Sequence, residues 1–590
     1  MNAGDDSKDP NWEPPEPLPG MSTRSMTDLV TRRIATGVVL QELSPIWQSL
    51  PWLRSQRYWA QAGVDVFTSG EVPYIVTNDG EQSRKALELY LASLRAAELR
   101  GEREDTSYVL ELGAGSGLFA KLFLDQLRDR ARVDGSGAYQ RTKYLVCDAS
   151  PGLLEDTRVS GVFADHEERV ERLNVPAKGL RAALAQAVRP AVGAIRAVHA
   201  NYVLDSLPFT ILSHRGDQLF ELQVRTRLRG DAALPGGARP PVDDLEATCT
   251  WLDDMGDRDT PAAHQALAYE GEYVRVERAA LPHPNVVPEP QNVGPAGTSQ
   301  QMVHSFGAVE CLEEIVGLLR PDGYFVAMDY SYQGSSPEPI EFQCFGTSIA
   351  AGVNFAQLVQ RARVLPGVVV ALPEVDPVNL QARMFARQQV SDEVLERFRS
   401  LYGRAAWDAN ETPYREAVEL QQSGQFEAAR WKYDAAHRLQ PYNWSTMETI
   451  VAFLTYTLGE HEAGLEAAKR ALQLNHLSPR LWNLLGDCYY GLDDIESAER
   501  AYQQAVRVNP VDTRARTNLA YVHLKRGAPA AALRVIGEAL ALDRVGDYRD
   551  ELLAKQAEAL QALASRQARG AFGNINRLSG HHALPGRDST

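Results

Sequence analysis

Cysteine is scarce in this chain of 590 residues, and the five that occur stand far apart. None forms a Cys-x-x-Cys pair or a cluster with histidine. This spacing excludes a zinc module and a secreted disulfide scaffold, and it predicts a reducing compartment, the cytoplasm. The five are Cys147, Cys249, Cys311, Cys344 and Cys488.

Long apolar runs are also missing. No window approaches the roughly 18 apolar residues that a membrane-spanning helix requires. Residues 1–25 are rich in proline and acidic residues and have no apolar centre, so they resemble neither a signal peptide nor a transit peptide. This segment predicts a disordered N-terminal tail.

Positive charge does not dominate either. The chain has 61 Lys+Arg against 77 Asp+Glu, which gives a formal net charge of −16. Such a balance argues against nonspecific binding to nucleic acid or to an anionic membrane. No constellation of metal-ligating residues stands out, so we expect no metal. The hydrophobic content of 44% is that of an ordinary globular protein.

Residues 26–403 alternate apolar runs with helical stretches, which predicts a parallel α/β sheet. The clearest strands carry continuous apolar character, as strands buried on both faces do; they are 108–112, 144–147, 195–200 and 324–329. Residues 229–300 are rich in proline and glycine. We interpret them as an insertion or lid of this domain.

A glycine-rich loop joins the first of these strands to an amphipathic helix. Its motif is Glu111-x-Gly113-x-Gly115-x-Gly117. A strand, glycine loop and helix bring a ligand to backbone N–H groups at the helix N-terminus. Leu118 stands where a dinucleotide fingerprint needs Gly or Ala, and no Lys-Ser/Thr follows as in a P-loop. Glu111 would oppose a pyrophosphate but suits a cation, and S-adenosylmethionine carries an ammonium and a sulfonium.

Two further acids are candidates for the same ligand. Asp148 ends the next strand, where a carboxylate can accept both ribose hydroxyls. Asp165 follows a possible third strand at 161–164 and would contact the adenine amine. The glycine loop and the strand-end acid predict a Rossmann-like class I methyltransferase fold. An α/β domain that binds another adenosine ligand is the alternative.

At this point the sequence resembles the MidA-type methyltransferases over roughly residues 30–360. The resemblance rests on the glycine motif and on three later segments, which are Asp148-Ala-Ser-Pro151, His199-Ala-Asn201-Tyr-Val-Leu-Asp205-Ser-Leu-Pro208 and Met328-Asp329-Tyr330. The family includes bacterial proteins and a mitochondrial complex I assembly factor that methylates arginine. Its Asn-Glu pair corresponds here to Asn201-Tyr202. A carboxylate is the natural partner of a guanidinium, so this departure argues against an arginine substrate.

The candidate catalytic residues follow the strand at 195–200. Ligands of open α/β sheets lie beyond the carboxyl ends of the strands, which places Asn201, Tyr202 and Asp205 near the methyl group. We expect Asp205 to orient or deprotonate the acceptor and Asn201 to accept a hydrogen bond from it. The alternatives are a helix N-cap for Asp205 and a turn for Asn201.

Three more residues are expected around the substrate. Asp329 and Tyr330 end the last strand and would lie near the acceptor. Trp59 belongs to an aromatic cluster before the sheet, which either packs in the core or closes as a lid over the cofactor.

From about residue 404 to 545 the sequence changes to Ala-rich helices with a period of 34 residues. The clearest unit fits the tetratricopeptide pattern through Trp482, Leu485, Gly486, Tyr489, Ala498, Tyr502, Ala505 and Pro510. Three related units flank it. Residues 546–590 are expected to form a capping helix and a flexible tail. The second half is therefore predicted to be an all-α solenoid.

Tetratricopeptide arrays present a concave groove built by the first helix of each repeat. Resemblance to known repeats places six candidate residues on it, which are Arg480, Asn483, Tyr490, Arg514, Tyr521 and Lys525. The three cations would bind an acidic segment or a C-terminal carboxylate of a protein or peptide partner. The alternative is a solvated face that packs only against the first half.

Together these features predict an S-adenosylmethionine-dependent methyltransferase that modifies a protein or peptide recruited by its repeat groove. Two alternatives are open. One is a small-molecule methyltransferase whose repeats serve assembly, including a homo-oligomer. The other is a scaffold that binds the cofactor without transferring the methyl group.

Overall fold

The computed structural model describes residues 37–188, 191–229, 241–242, 244–255, 267–289, 299–331, 334–336, 340, 343–345, 347–377, 380–543 and 546–579. The chain divides into two compact units, Met1–Arg415 and Glu416–Thr590. The boundary expected after residue 403 falls at the start of a helix, Arg404–Gln422, within which the two units divide. The predicted N-terminal tail lies outside the described residues.

The strands all belong to the first unit. They are β1 (Gly37–Pro45), β2 (Ser107–Leu112), β3 (Thr142–Asp148), β4 (Val170–Asn174), β5 (Ile195–Asn201), β6 (Thr210–Arg215), β7 (Gln218–Arg229), β8 (Leu267–Arg275), β9 (Ser299–His304), β10 (Leu319–Tyr330), β11 (Gln343–Phe345), β12 (Ser348–Ala350), β13 (Val368–Ala371) and β14 (Leu380–Arg387).

The helices of the same unit connect these strands. They are α1 (Leu50–Gln61), α2 (Asp65–Thr68), α3 (Ile75–Asn78), α4 (Glu81–Leu99), α5 (Leu118–Asp134), α6 (Ala138–Arg141), α7 (Pro151–Val159), α8 (Leu180–Ala187), α9 (Leu245–Met255), α10 (Phe306–Val316), α11 (Phe355–Val364), α12 (Asp392–Leu401) and α13 (Arg404–Gln422), the last of which contains the unit boundary.

A seven-stranded sheet forms the centre of the first unit, in the order β13-β14-β10-β5-β2-β3-β4. Strands β10, β5, β2, β3 and β4 pair in parallel, and β14 is antiparallel to both of its neighbours. All four strands expected from apolar runs lie in this sheet. The chain moves from β2 outward to β4 and returns to β5 on the other side of β2, and such a reversal opens a crevice at the carboxyl ends of the strands.

The core of this sheet consists of apolar side chains from its central strands and from the helices that cover it. Leu110 of β2 pairs with Leu145 of β3 on one side and with Val198 of β5 on the other. All three are fully buried, as is Phe325 of β10. Burial on both faces explains why these strands read as continuous apolar runs.

A second, antiparallel sheet was not expected from the sequence. Its order is β1-β7-β6-β9, and β8 pairs with β7. Buried and more exposed residues alternate along β7, so one face packs on a core that includes Ile211, Val224 and Val303. The described part of the 229–300 segment contributes α9 and β8. Because its flanks are rich in proline and glycine, β8 was not recognised as a strand. Its partner β7 is also distant from it in sequence.

Consecutive helices make up the second unit. They are α14 (Phe426–Leu439), α15 (Trp444–Ala452) with a π-helical turn at Phe453–Thr457, α16 (His461–Leu474), α17 (Pro479–Gly491), α18 (Ile495–Val508), α19 (Thr513–Lys525), α20 (Pro529–Leu542) and α21 (Arg549–Ser579). Polar side chains cap several of these helices. Ser478 accepts the Leu481 N–H and Asp512 accepts that of Ala515.

In the described part of the chain, no helix combines the length and apolar character needed to cross a membrane. Within the same residues, no group of three or more His, Cys, Asp and Glu side chains could hold a metal ion.

Candidate active site

A cleft of about 370 Å³ opens at the carboxyl ends of the central strands. Its walls come from α1, from the segment around α2 and α3, and from the loops after β2, β3, β4 and β5. The lining residues include Trp59, Phe67, Tyr74, Glu111, Gly113, Gly115, Asp148, Val175, Pro176, Ala177, Asn201, Tyr202 and Ser206. The cleft therefore lies where the order of the central strands reverses.

The glycine loop between β2 and α5 forms one wall of the cleft. Gly113 and Gly115 have φ values of 68° and 52°, in the left-handed region that favours glycine. A Cβ atom on Gly113 would lie 2.3 Å from Val203 Cγ2, and one on Gly115 would lie 3.0 Å from Phe67 Cζ. Both positions exclude a side chain, which leaves the backbone of the loop facing the cleft.

Asp148 connects this loop to the end of β3. Its Oδ2 accepts the N–H of Gly115 at 3.0 Å, and its Oδ1 accepts the N–H of Ser150 at 2.9 Å. Burial raises the pKa of this carboxyl, and the N–H donors partly oppose the rise. A carboxylate offers about four lone-pair sites, so Asp148 retains capacity to accept hydroxyl donors of a ligand.

Glu111 lies in β2, just before the glycine loop, and is 3% exposed. The Tyr144 hydroxyl donates to its Oε2 at 3.5 Å. Burial raises its pKa well above the usual value, and the charge of Asp148 raises it further. Two buried carboxyl groups without a cation are costly to ionise. A bound cation would offset that cost.

Asn201 ends β5 and Tyr202 follows it directly, and both line the cleft. Tyr202 has φ of 55°, which is uncommon for a residue with a side chain. Its N–H donates to Met328 O at 3.0 Å, and its ring stacks on Tyr330 at a centroid distance of 4.9 Å. In the described structure the buried Nδ2 of Asn201 has no hydrogen-bond partner. An acceptor atom of a ligand would satisfy this donor.

Asp205 and Asp329 lie behind the cleft wall, not in it. Asp205 belongs to the 3-10 helix Leu204–Ser206, and Oδ2 of Asp329 accepts the N–H groups of Leu204 and Asp205 at 2.9 and 3.2 Å. Burial raises the pKa of Asp205 to about 7, while burial and the charge of Asp205 raise that of Asp329.

Neither carboxyl group is among the cleft-lining residues, nor is Tyr330, whose ring stacks on that of the lining residue Tyr202. The expected positions of Asp205, Asp329 and Tyr330 around the acceptor are therefore corrected. The tight turn after β5 buries the Asp205 side chain. Asp329 and Tyr330 come from the end of β10, and they support the turn through the N–H groups of Leu204 and Asp205 and through the Tyr202 ring.

Asp165 is also misplaced by the sequence prediction. Residues 161–168 form turns, and the third parallel strand is β4, which begins at Val170. The Asp165 side chain is 77% exposed and faces Arg128 at 3.5 Å. The cleft is lined instead by Val175, Pro176 and Ala177, directly after β4. Only Val170 and Leu173 of this strand are buried, so its apolar signal is weak.

Trp59 forms a fixed wall of the cleft. Its Nε1–H donates to Ser348 Oγ at 2.8 Å, and Ser348 Oγ also shares a hydrogen bond with Ser55 Oγ at 3.1 Å. These contacts distinguish Trp59 from a freely swinging lid. Phe67 and Tyr74 line the same cleft and were missed, since both lie in short, weakly patterned segments.

The six predicted groove residues of the second unit lie on α17 and α19. Asn483 Nδ2 donates to Asp512 at 2.9 Å, and the Tyr521 hydroxyl donates to Glu551 at 2.6 Å. The Lys525 ammonium lies 4.5 Å from the Tyr490 ring centroid. Contacts between alternate helices, from α17 to α19 and from α19 to α21, thus join these side chains into one polar and aromatic surface.

Each cation of that surface already faces a carboxylate. Arg480 lies 3.3 Å from Glu448, Arg514 lies 3.4 Å from Asp487, and Lys525 lies 2.5 Å from Asp493. An acidic partner would have to compete with these internal acids.

Comparison with known proteins identifies one of the repeats directly. A family model described as "Tetratricopeptide repeat" matches residues 479–510, which confirms the prediction there. Comparison with curated proteins gives no match.

Three solved structures resemble parts of the chain at low identity. MamA from Desulfovibrio magneticus RS-1 is 21% identical and covers 26% of this chain and 86% of its own, with a TM-score of 0.22. A TPR2B-domain:pHsp70 complex of yeast Sti1 is 16% identical and covers 19% of this chain and 94% of its own, with a TM-score of 0.19. The third, from Burkholderia thailandensis, is described as a "COG1565 superfamily member and likely methyl transferase" bound to S-adenosyl-homocysteine. It is 13% identical, covers 60% of this chain and 90% of its own, and has a TM-score of 0.38.

Proposed function

We propose that this chain is an S-adenosylmethionine-dependent methyltransferase that acts on a protein or peptide recruited by its tetratricopeptide groove. The observation that carries the proposal is the pair of buried carboxyl groups, Glu111 and Asp148, beside a glycine loop that presents backbone to a cleft. Such a site favours a ligand with a cationic part and a hydroxylated part, and S-adenosylmethionine has both.

The sheet topology supports the same proposal. Numbered along the chain, the five parallel strands have the order 3-2-1-4-5, which is that of doubly wound nucleotide-binding folds. In those folds the ligand lies where the order reverses, and this is the position of the cleft. The absence of a Gly or Ala at Leu118 favours an adenosine ligand other than a dinucleotide.

The lining residues fit this cofactor. Glu111 would face its cationic amino acid part, Asp148 would accept its ribose hydroxyls, and Val175–Ala177 would pack on its adenine. When bound, S-adenosylmethionine supplies a methyl group on a sulfonium, which is already reactive. The protein then has to position the acceptor and exclude water. The Asn201 Nδ2–H group would hold the acceptor by a hydrogen bond, and Trp59 and Tyr202 would orient it.

The acceptor side of the cleft differs from its cofactor side in charge. Glu111 and Asp148 lie beside the glycine loop, whereas the residues after β5 that line the cleft are neutral, among them Asn201, Tyr202 and Ser206. A guanidinium would lack a carboxylate partner there. We therefore infer an acceptor that is neutral and that accepts a hydrogen bond.

Two measurements on the full chain test the proposal. Calorimetric titration with S-adenosylmethionine should show binding that Gly115→Arg abolishes, because the arginine would fill the cleft beside Phe67. Incubation with methyl-labelled cofactor in a lysate of the native cell should then place label on a protein band. Label found only in small molecules would contradict the protein substrate, and absence of binding would contradict the cofactor.

A further inference from the structure

The second unit contains a crevice of about 300 Å³ on a different face from the groove. Its lining residues come from α18, α19 and α20 and are Gln503, Val506, Arg507, Arg516, Leu519, His523, Arg534, Val535 and Glu538. On α19 the lining residues Arg516, Leu519 and His523 follow helical spacing. They are offset by two positions, roughly half a turn, from the groove residues Arg514 and Tyr521.

Positive charge is concentrated in this crevice. Three helices each contribute one arginine, Arg507, Arg516 and Arg534, and Glu538 is the one carboxylate among the lining residues. Glu538 Oε1 accepts a hydrogen bond from Arg534 at 2.7 Å. His523 faces Glu499 at 3.8 Å, and Arg526 also pairs with Glu499. The lining thus contains three guanidinium groups and one carboxylate, which faces Arg534 and Arg516.

Arg516 is the most buried of the three arginines. Its side chain is 12% exposed, and its Nη1 donates to Asp512 O at 3.2 Å. Its Nε lies 3.8 Å from Glu538 Oε2, beyond hydrogen-bond distance, and this buried atom has no hydrogen-bond partner in the described structure. A buried N–H donor without an acceptor is costly. A ligand oxygen in the crevice would remove that cost.

The charged and apolar side chains of the crevice indicate which class of ligand it would bind. Guanidinium forks match the oxygens of a phosphate, which carries two negative charges close to neutral pH. The walls also include Val506, Leu519 and Val535, which belong to one apolar cluster of α18 to α20 and suit carbon atoms rather than ions. Leu519 and Val535 are buried by their neighbours, so half-buried Val506 supplies most of the carbon surface that a ligand can contact.

We propose that the crevice binds a phosphate monoester, with the phosphoryl group on Arg516, Arg534 and Arg507 and its carbon stem on the apolar wall. The stem belongs either to a phosphorylated side chain of a partner protein or to a small organic phosphate. The site does not depend on the proposed methyl transfer, because all of its residues lie in the second unit.

Calorimetry on the full chain tests this proposal with three probes: N-acetyl-phosphothreonine amide, glycerol 3-phosphate and inorganic phosphate. At least one of the two organic phosphates should bind more tightly than inorganic phosphate. Arg516→Gln and Arg534→Gln should each weaken that binding about tenfold through the loss of a charge-assisted contact. The tighter organic probe identifies the source of the ligand.

The matched control is Arg500→Gln. Arg500 is exposed on α18 and outside the crevice, and it donates to Ser497 at 2.8 Å. It should leave the affinity unchanged. Arg534 is 66% exposed, so its substitution tests the site even if Arg516→Gln perturbs folding. Absence of binding, equal binding of inorganic phosphate, or equal losses in the Arg500 and Arg534 variants would overturn the proposal.

Discussion

The backbone N–H of Gly115 donates a hydrogen bond to Asp148 Oδ2 over 3.0 Å. This bond joins the loop after β2 to the end of β3, so the two parts of the motif hold each other in place. A residue expected to contact only the ribose therefore also fixes the loop.

Replacement of Asp148 should consequently affect more than one contact. We expect Asp148→Ala to weaken S-adenosylmethionine binding by about 1–3 kcal/mol. Asp148→Asn should also lose affinity, because its NH₂ group cannot accept one of the two backbone donors. Calorimetric titration measures both. Asp165→Ala is the control, and an equal loss there would show that the cleft is not the binding site.

Affinity for the cofactor should depend on pH. The pKa values of Glu111 and Asp148 are raised by burial, so each carboxyl retains its proton to a higher pH than usual. A cation binds the ionised form, and affinity should rise with pH until both groups are ionised. Binding should release protons, which calorimetry detects as a dependence on the ionisation enthalpy of the buffer. Proton uptake would contradict this assignment.

Asn201→Ala separates binding of the cofactor from positioning of the acceptor. Because the unpaired Nδ2 is available to the acceptor, turnover should fall about tenfold, the value of one hydrogen bond in the transition state. Cofactor affinity should stay unchanged. Single-turnover transfer and calorimetry together measure the two effects, and a parallel loss of both would assign Asn201 to the cofactor.

Asp205→Asn should act on stability and its pH dependence. The folded-state pKa of Asp205 is about 7, above its ordinary value of 3.8, so the folded protein holds a proton that the unfolded chain has lost. Between pH 3.8 and about pH 7, Asp205 therefore lowers the free energy of unfolding by up to about 1.4 kcal/mol for each pH unit. The free energy of unfolding of the asparagine variant should therefore rise relative to that of the native chain as pH increases. Urea unfolding of both chains at pH 5 and pH 8 measures this difference.

Two glycines of the second unit should respond oppositely to alanine. A Cβ on Gly486 would lie 2.4 Å from Tyr502, whereas one on Gly537 would have no neighbour within 4 Å. Gly486→Ala should destabilise the repeats by about 1–3 kcal/mol through overpacking. Gly537→Ala should stabilise α20 by about 0.5–1 kcal/mol through helix propensity. Thermal unfolding followed by circular dichroism distinguishes the two, and equal shifts would contradict the packing.

Local signals made much of the central sheet and the glycine loop predictable. Gly113 and Gly115 have positive φ values and lie close to neighbouring atoms, so a side chain at either position would disrupt the loop. The glycine motif therefore predicts the conformation of the loop. The repeats were predictable for a similar reason, since positions such as Gly486 recur at a fixed period. These features depend on residues that are close in sequence or related by a constant spacing.

Tertiary arrangement determined what the sequence failed to predict. Asp205 follows β5 as a catalytic acid would, but the direction of its side chain depends on a 3-10 turn held by Asp329. Asp165 was expected to follow a strand at 161–164, but these residues form a turn; the strand begins at Val170, and β4 buries only Val170 and Leu173. The second sheet pairs β8 with β7 across a proline- and glycine-rich stretch, and no local pattern encodes that pairing.

The hydrogen bond from Trp59 to Ser348 joins residues 289 positions apart. During biosynthesis, helix α1 leaves the ribosome long before β12 has been translated. The glycine loop and the first parallel strands are complete early, and Trp59 can already pack with Tyr58, Phe67 and Leu153. The indole N–H of Trp59, however, gains its acceptor only when residue 348 emerges. A nascent or truncated chain would therefore hold the cleft wall by apolar packing alone, and the hydrogen bond that fixes the indole marks a first unit whose synthesis has passed β12.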